Sequence, residues 1–217
     1  MACEVVEMLL VDPPLEDQLA LLGFCKSPKA TFSLRLGRPK EYHSRSNTPT
    51  KETNIKNEER EGFEWDIFET SPTMSLYLLT WAVSKYKYST ARTETTGIEV
   101  RAYFSDPSVT QHSANVAATI LEHFEQKIFK IDYELTKLDM IAVPLYYFGA
   151  MEHWGMNTYA MTQGGAFSEE DKDARTMFSL DQTISHELVG LYLISQHHIV
   201  NKKYIEQNRH TSGWETW

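Results

Sequence analysis

Cysteine is nearly missing: Cys3 and Cys25 are the only two in 217 residues. Two are too few for a disulfide framework, and no CxxC spacing suggests a zinc knuckle. Basic charge is also scarce. Lys and Arg number 21 against 30 Asp and Glu, a formal net charge of −9. A general nucleic-acid binder needs a basic face to neutralise phosphates, so that class is excluded as an expectation. Beyond this, an acidic balance reports mainly on solubility. No apolar run approaches the roughly 18 residues that span a bilayer. The start, Met1 to Leu10, carries Glu4 and Glu7 and no basic leader, which makes a poor signal peptide. No N-x-S/T sequon occurs either, since Asn47 is followed by Thr48 and Pro49. These absences favour an intracellular chain, or a piece of a longer protein whose targeting segment lies elsewhere. The compartment stays open.

What is present reads as globular. Hydrophobic residues make up 41% and charged residues 24%, which is outside the disordered range. The length suits one large domain or parts of two.

Residues 1–27 have no clear pattern, although Leu15 to Leu22 is compatible with a short helix. From Thr31 to Gly37, Phe32, Leu34 and Leu36 alternate with Ser33 and Arg35, which predicts a half-buried strand. Residues 45–66 are polar and mixed in charge, and read as a long loop or hairpin tip. The apolar run Leu76 to Val83 predicts a buried strand. Lys85 to Thr96 reads as a polar connector and the best domain boundary. Ile98 to Phe104 alternates again as a strand. Asp106-Pro107 predicts an N-cap with proline at the first helical position. The helix after it is expected to bury Val116, Ile120, Phe124 and Ile128. Leu138 to Val143 and Asn157 to Met161 are short strand candidates. Gly164, Gly165 and the acidic run Glu169 to Asp171 mark a loop. A second helix is expected from about Asp173 through Met177, Leu180, Ile184, Leu188 and Leu191. Strands first, then strands mixed with helices, give an α+β class.

The second helix contains His186-Glu187-Leu188-Val189-Gly190. In the HExxH pattern, residues i and i+4 share a helix face, so two imidazoles reach one Zn²⁺ and the Glu polarises its bound water. Here the fifth position is Gly190. Alone, such a His-Glu pair fits an ordinary, partly exposed helix histidine.

An upstream segment adds weight. Phe148 to Tyr159 reads FGAMEHWGMNTY. This resembles the G-A-M-E-N-W-G exopeptidase motif of the aminopeptidase N family of zinc aminopeptidases. Six of seven motif positions match, with His153 standing for Asn. Glu152 and His186 lie 34 residues apart, close to the family spacing. Other landmarks follow in order: Pro28 to Phe32, Gly37 to Lys40, Ser46-Asn47-Thr48-Pro49, Trp65 to Val83 and Thr136 to Met140. The resemblance covers about residues 28–189.

The resemblance implies a fold and roles. The expected architecture is the end of an N-terminal antiparallel β domain, residues 28–88, and the first part of a thermolysin-like α/β peptidase domain, residues 89–189. Residues 1–27 are unassigned and residues 190–217 form a divergent tail. Gly149, Ala150 and Met151 would line the substrate cleft by their backbone, and Glu152 would bind the free α-amino group of a peptide. A carboxylate facing an ammonium in a closed cleft is a charge-assisted pair. His153 would contribute to holding the substrate backbone, His186 would be a zinc ligand, and Glu187 the general base.

Departures begin at Gly190, where the second ligand should stand. The third, a glutamate, is expected about 23 residues after His186, where Arg209 stands. A guanidinium stays protonated and cannot ligate zinc. His197 would return to a similar helix face, but about 16 Å along the axis from His186. Glu206 and His210 lie near the third slot without the family context around them. A second abrupt departure falls at Phe24-Cys25-Lys26-Ser27-Pro28, where the family's F-D-E-P element is missing. The implied activity is release of N-terminal amino acids from peptides, expected to be lost or impaired with two ligands missing. The alternatives are a non-catalytic binder of peptide N-termini, or a truncated gene product without function.

Overall fold

The computed structural model describes the backbone of residues 3–9, 18–21, 29–161 and 173–209, and the side chains of residues 29–161 and 173–193. In chain order the elements are β1 (Cys3–Leu9), β2 (Gln18–Leu21), β3 (Thr31–Pro39), β4 (His43–Ser46), β5 (Thr50–Lys56), β6 (Phe63–Phe68), β7 (Thr80–Ser84), β8 (Lys87–Arg92) and β9 (Glu99–Phe104). There follow α1 (Gln111–His123), β10 (Lys137–Val143), β11 (Ala150–Met151), β12 (Met156–Ala160) and α2 (Ala174–Arg209). The class is α+β.

Among the described residues the strands form three sheets, ordered β1-β3-β6-β5, β2-β7-β4 and β11-β12-β10-β9-β8. The third positions the site. Its centre is parallel, with β10 between β9 and β12. Parallel neighbours need a crossover, and α1 provides it between β9 and β10. Every residue of β10 and β12 is buried, as expected for strands covered on both faces. The edges are antiparallel: β8 on β9 and β11 on β12.

One apolar core joins these parts. Phe32, Leu34 and Leu36 of β3 pack in the same cluster as Val100, Leu138, Ala114, Ala117 and Leu121, and with Leu180, Ile184 and Leu188 of α2. The alternation predicted for β3 and the apolar positions predicted for α2 are therefore both seen. Leu191 and Tyr192 fall inside the segment expected to be a divergent tail. Each is only 2% exposed, and Tyr192 stacks on Phe129 at 4.8 Å.

Several expectations are corrected. Gln18–Leu21 is a strand and not part of a helix, because it finds a partner in β7. Such pairing overrides local preference in a short segment. Residues 45–66 are mostly strand. Their polarity arises because β5 is an edge strand exposed at nearly every position, and only residues 57–62 form the tip. Lys85 to Thr96 contains β8, another edge strand with polar residues facing water. Leu76–Leu78 is a 3-10 turn before β7 begins. The buried face of α1 is shifted from the predicted one: Ser113, Ala114, Ala117, Ala118 and Leu121 are buried, while Ile128 is 56% exposed. Small residues let the helix lie close on the sheet, and the larger Val116 and Ile120 flank the contact. The cap is as predicted, with Asp106 accepting a hydrogen bond from the Ser108 amide at 3.0 Å. The predicted loop at Gly164 to Asp171 and the departure at Phe24 to Pro28 lie outside the described residues.

A knot of hydrogen bonds ties the two β-rich parts together. The Asn47 amide donates to the carbonyl oxygens of Leu78 and Trp154, both at 2.7 Å, and its oxygen accepts from the Thr80 amide at 2.9 Å. Next to it, Lys137 Nζ donates to the Ser46 carbonyl at 2.6 Å, to the Gly155 carbonyl at 2.8 Å and to Asp139 Oδ2 at 2.7 Å. The Ser-Asn-Thr-Pro, Lys-Leu-Asp and Trp-Gly landmarks of the sequence thus meet at one place.

Candidate functional site

The knot fixes the turn that carries Glu152. Trp154 is buried, and Gly155 starts the way back into β12 with φ +86°. In front of this turn runs β11, the short edge strand. Gly149 accepts from the Ala160 amide at 2.9 Å, while the outer side of β11 faces away from the sheet. Gly149, Ala150 and Met151 therefore lead to Glu152 along a strand that has no sheet neighbour on its outer side among the described residues.

The helix α2 packs against β11. It is long because its first turns are anchored: Asp173 accepts from the Arg175 and Thr176 amides at 2.9 and 3.0 Å, as an N-cap does. Its apolar stripe then turns Glu187 inward, to 5% exposure. Gly190, one turn on, abuts Glu152 directly. A Cβ built on Gly190 would lie 3.0 Å from Glu152 Cγ and 3.1 Å from its Cβ.

Glu152 and Glu187 thus lie near enough for one charge to act on the other. Burial pushes the Glu187 carboxyl up to about 7, and the charge of Glu152 adds to the shift. Two carboxylates in one desolvated place resist double ionisation. Tyr146 stands over the pair, its hydroxyl 2.8 Å from Thr158 Oγ1. Its pKa is raised by burial, and the charges of Glu187 and Glu152 add to this although the Thr158 hydrogen bond opposes it. Tyr77 is raised by burial first and by Glu152 second.

The remaining sequence-predicted residues are placed differently. His186 is exposed on α2. His153 is 0% exposed and lies beside the backbone of Tyr77 and Leu78. Burial pushes its imidazole down to about 4, so it is neutral at pH 7. The ring is enclosed in this conformation of the chain. Sequence reading missed Tyr146 and Tyr77, for which only general aromatic enrichment gave a signal. It treated Gly190 as a lost ligand and not as the residue that makes room for Glu152.

Zinc does not fit the described residues. No group of three or more His, Cys, Asp or Glu among them is arranged to hold a metal ion. The position one turn after His186 has no side chain, and Glu152 fills the space where one would start. His197, Glu206 and His210 lie outside the described side chains.

Residues 112–192 match the Peptidase family M1 domain, and this part of the chain belongs to that family. The match passes Val189, where the sequence resemblance was expected to stop. Among relatives, aminopeptidase A of Gloydius brevicauda is 34% identical over 166 residues, 74% of this chain and 16% of its own. The thyrotropin-releasing hormone-degrading ectoenzyme of Homo sapiens is 36% identical over 134 residues, 60% of this chain and 12% of its own. Endoplasmic reticulum aminopeptidase 1 of Mus musculus is 32% identical over 163 residues, 74% of this chain and 17% of its own. The chain spans less than a fifth of the length of these relatives. No helix among the described residues is long and apolar enough to cross a membrane.

Proposed function

We propose that this chain binds the free amino terminus of a peptide between β11 and α2 and does not hydrolyse it. The observation that carries the reading is the nearness of Glu152 to α2, where its charge acts on Glu187 and Gly190 is packed against it. An ammonium is the natural occupant. It neutralises the repulsion between the carboxylates and forms charge-assisted hydrogen bonds. The open edge of β11 can pair with the extended backbone that follows, as peptides do when they add to a sheet. Gly149, Ala150 and Met151 supply that backbone.

Hydrolysis is left out for a chemical reason. Glu187 acts as a general base only on an activated water. A catalytic zinc site uses three protein ligands, and His186 is the single family ligand retained. The related reading is an impaired aminopeptidase, favoured by the retention of both Glu152 and Glu187.

Calorimetry with a short peptide, free and N-acetylated, separates these readings together with an activity assay. The free peptide is expected to bind at least about tenfold more tightly. Equal affinity for both would remove Glu152 as an amine anchor. No release of chromophore from an alanyl anilide is expected, with or without added zinc. Stoichiometric zinc together with release would overturn the non-hydrolytic part.

The pH dependence carries its own expectation. Glu187 is protonated below about 7, so affinity rises as pH passes through that value. Above about 8 the ligand's own α-amino group loses its proton and affinity falls. The profile is therefore a peak between the two. Glu187→Gln is expected to flatten the acid limb and leave the alkaline limb. A profile unchanged by Glu187→Gln would refute the assignment.

A further inference from the structure

A second cleft, with no part in the Glu152 site, opens where the three sheets meet. It has a volume of about 470 Å³, within the range of small-ligand sites. The strand β4 contributes Arg45, β5 contributes Thr50 and Thr53, and β8 contributes Lys87. Asp66 of β6, Arg101 of β9 and the Lys137–Asp139 pair of β10 complete its charged lining.

The charges in this wall do not cancel. Asp66 is already matched by Arg38, with Nε to Oδ2 at 2.5 Å and Nη2 to Oδ1 at 3.0 Å, and it also accepts from Ser44 and Thr53. Asp139 is matched by Lys137 at 2.7 Å. Arg101 pairs with Glu99, and lies 4.0 Å from Asp139. Arg45 is the exception among the guanidinium groups of the wall. Its partners are neutral: the carbonyls of His43 and Tyr86 at 3.3 and 3.1 Å, and Ser84 Oγ at 3.3 Å. Its guanidinium carbon lies 4.0 Å above the Tyr103 ring. Lys87 makes no ion pair within 4 Å among the described residues. Arg45 thus faces the cleft with neutral partners alone, and Lys87 has only the exposed carboxylate of Asp106 acting on it.

Other groups agree with this sign. His43, also in the wall, is held below its ordinary pKa by burial first and then by Arg45 and Arg38, against a smaller opposite pull from Asp66. The part of that shift due to Arg45 and Arg38 has the sign expected of positive surroundings. Inside the wall, Asp139 Oδ1 and Arg101 Nε are buried without a hydrogen-bond partner. The Thr50 and Thr53 hydroxyls line the same space.

We propose that this cleft binds a small doubly charged oxyanion, a phosphate monoester or a dicarboxylate, held by Arg45 and Lys87. Arg45 offers a planar fork already positioned by three neutral acceptors, and Lys87 supplies a second point charge on the opposite strand. The Thr50 hydroxyl can donate to a remaining oxygen, whereas that of Thr53 is already given to Asp66.

The test is calorimetry of the full chain in chloride buffer at fixed ionic strength, titrated separately with inorganic phosphate and with succinate. Saturable binding of one dianion is expected, and which one binds distinguishes the two sources. Lys87→Gln should weaken it about tenfold and Arg45→Gln should abolish it. Lys127→Gln, an exposed change on the turn after α1, should leave it unaltered. Should Arg45→Gln fail to fold, Lys87→Gln decides. Absence of saturable heat with both dianions, or equal affinity in Lys87→Gln and the parent, overturns the proposal.

Discussion

Gly155→Ala is expected to cost about 4 kcal/mol or more, a large share of the roughly 5–15 kcal/mol that holds a domain folded. Two effects add. Gly155 sits at φ +86°, a backbone region where a side chain costs about 1–2 kcal/mol. The added Cβ would also press into the Asn47 carbonyl oxygen, 3.0 Å from its carbonyl carbon and 2.7 Å from Leu135 Cδ1. The first neighbour is backbone, pinned by its own side chain's hydrogen bonds to Leu78, Trp154 and Thr80. It cannot swing aside as a surface side chain would. Urea unfolding followed by circular dichroism measures the loss. A midpoint within the error of the parent would show that the turn relaxes without cost.

Lys137→Met should be nearly as damaging, at about 3–5 kcal/mol. The ammonium is 3% exposed and serves three acceptors at once. Its burial lowers its pKa, and Asp139 pulls in the opposite direction. Methionine fills much the same volume but leaves Asp139 as a buried carboxylate whose nearest cation is Arg101 at 4.0 Å. The Ser46 and Gly155 carbonyl oxygens each lose the ammonium, although Gly155 keeps the Asp139 amide at 3.0 Å. Lys137→Met combined with Asp139→Leu should recover part of the loss, because the uncompensated charge is gone. The Gly155 carbonyl belongs to both lesions. The Gly155→Ala, Lys137→Met double variant should therefore lose less than the two single losses added together. Strict additivity would mean that the knot does not act as a unit.

Much of this could be read from the sequence where periodicity and landmarks coincide. The alternation of Phe32, Leu34 and Leu36, the strand before Asp106, its cap, and the apolar positions of α2 all carry their own signal. Glu152 and Glu187 stand out by motif and spacing, and their roles rest with the proposed function. What stayed hidden depended on partners remote in the chain. β4, β5 and β8 look like loops because an edge strand shows polar residues to water, and only pairing makes them strands. α1 buries alanines that a search for large apolar residues passes over. His153 sits in a motif position that suggests contact with a peptide, yet Trp154 and the Tyr77 to Leu78 backbone enclose it. The closeness of Gly190 to Glu152 joins residues of β11's turn and α2, and no local pattern announces it. The uncompensated charge of Arg45 is visible only once every carboxylate near it has been assigned to another cation.

The bond from Asn47 to Trp154 closes a loop of 107 residues. Closing so large a loop carries an entropy cost that must be met before the contact returns anything. This bond is thus made after the hairpins β5–β6 and β8–β9, whose partners are near in sequence. Glu152 is set in place by the same turn. The place proposed above for a peptide amino terminus is then completed only with this long-range contact, after the local hairpins have formed.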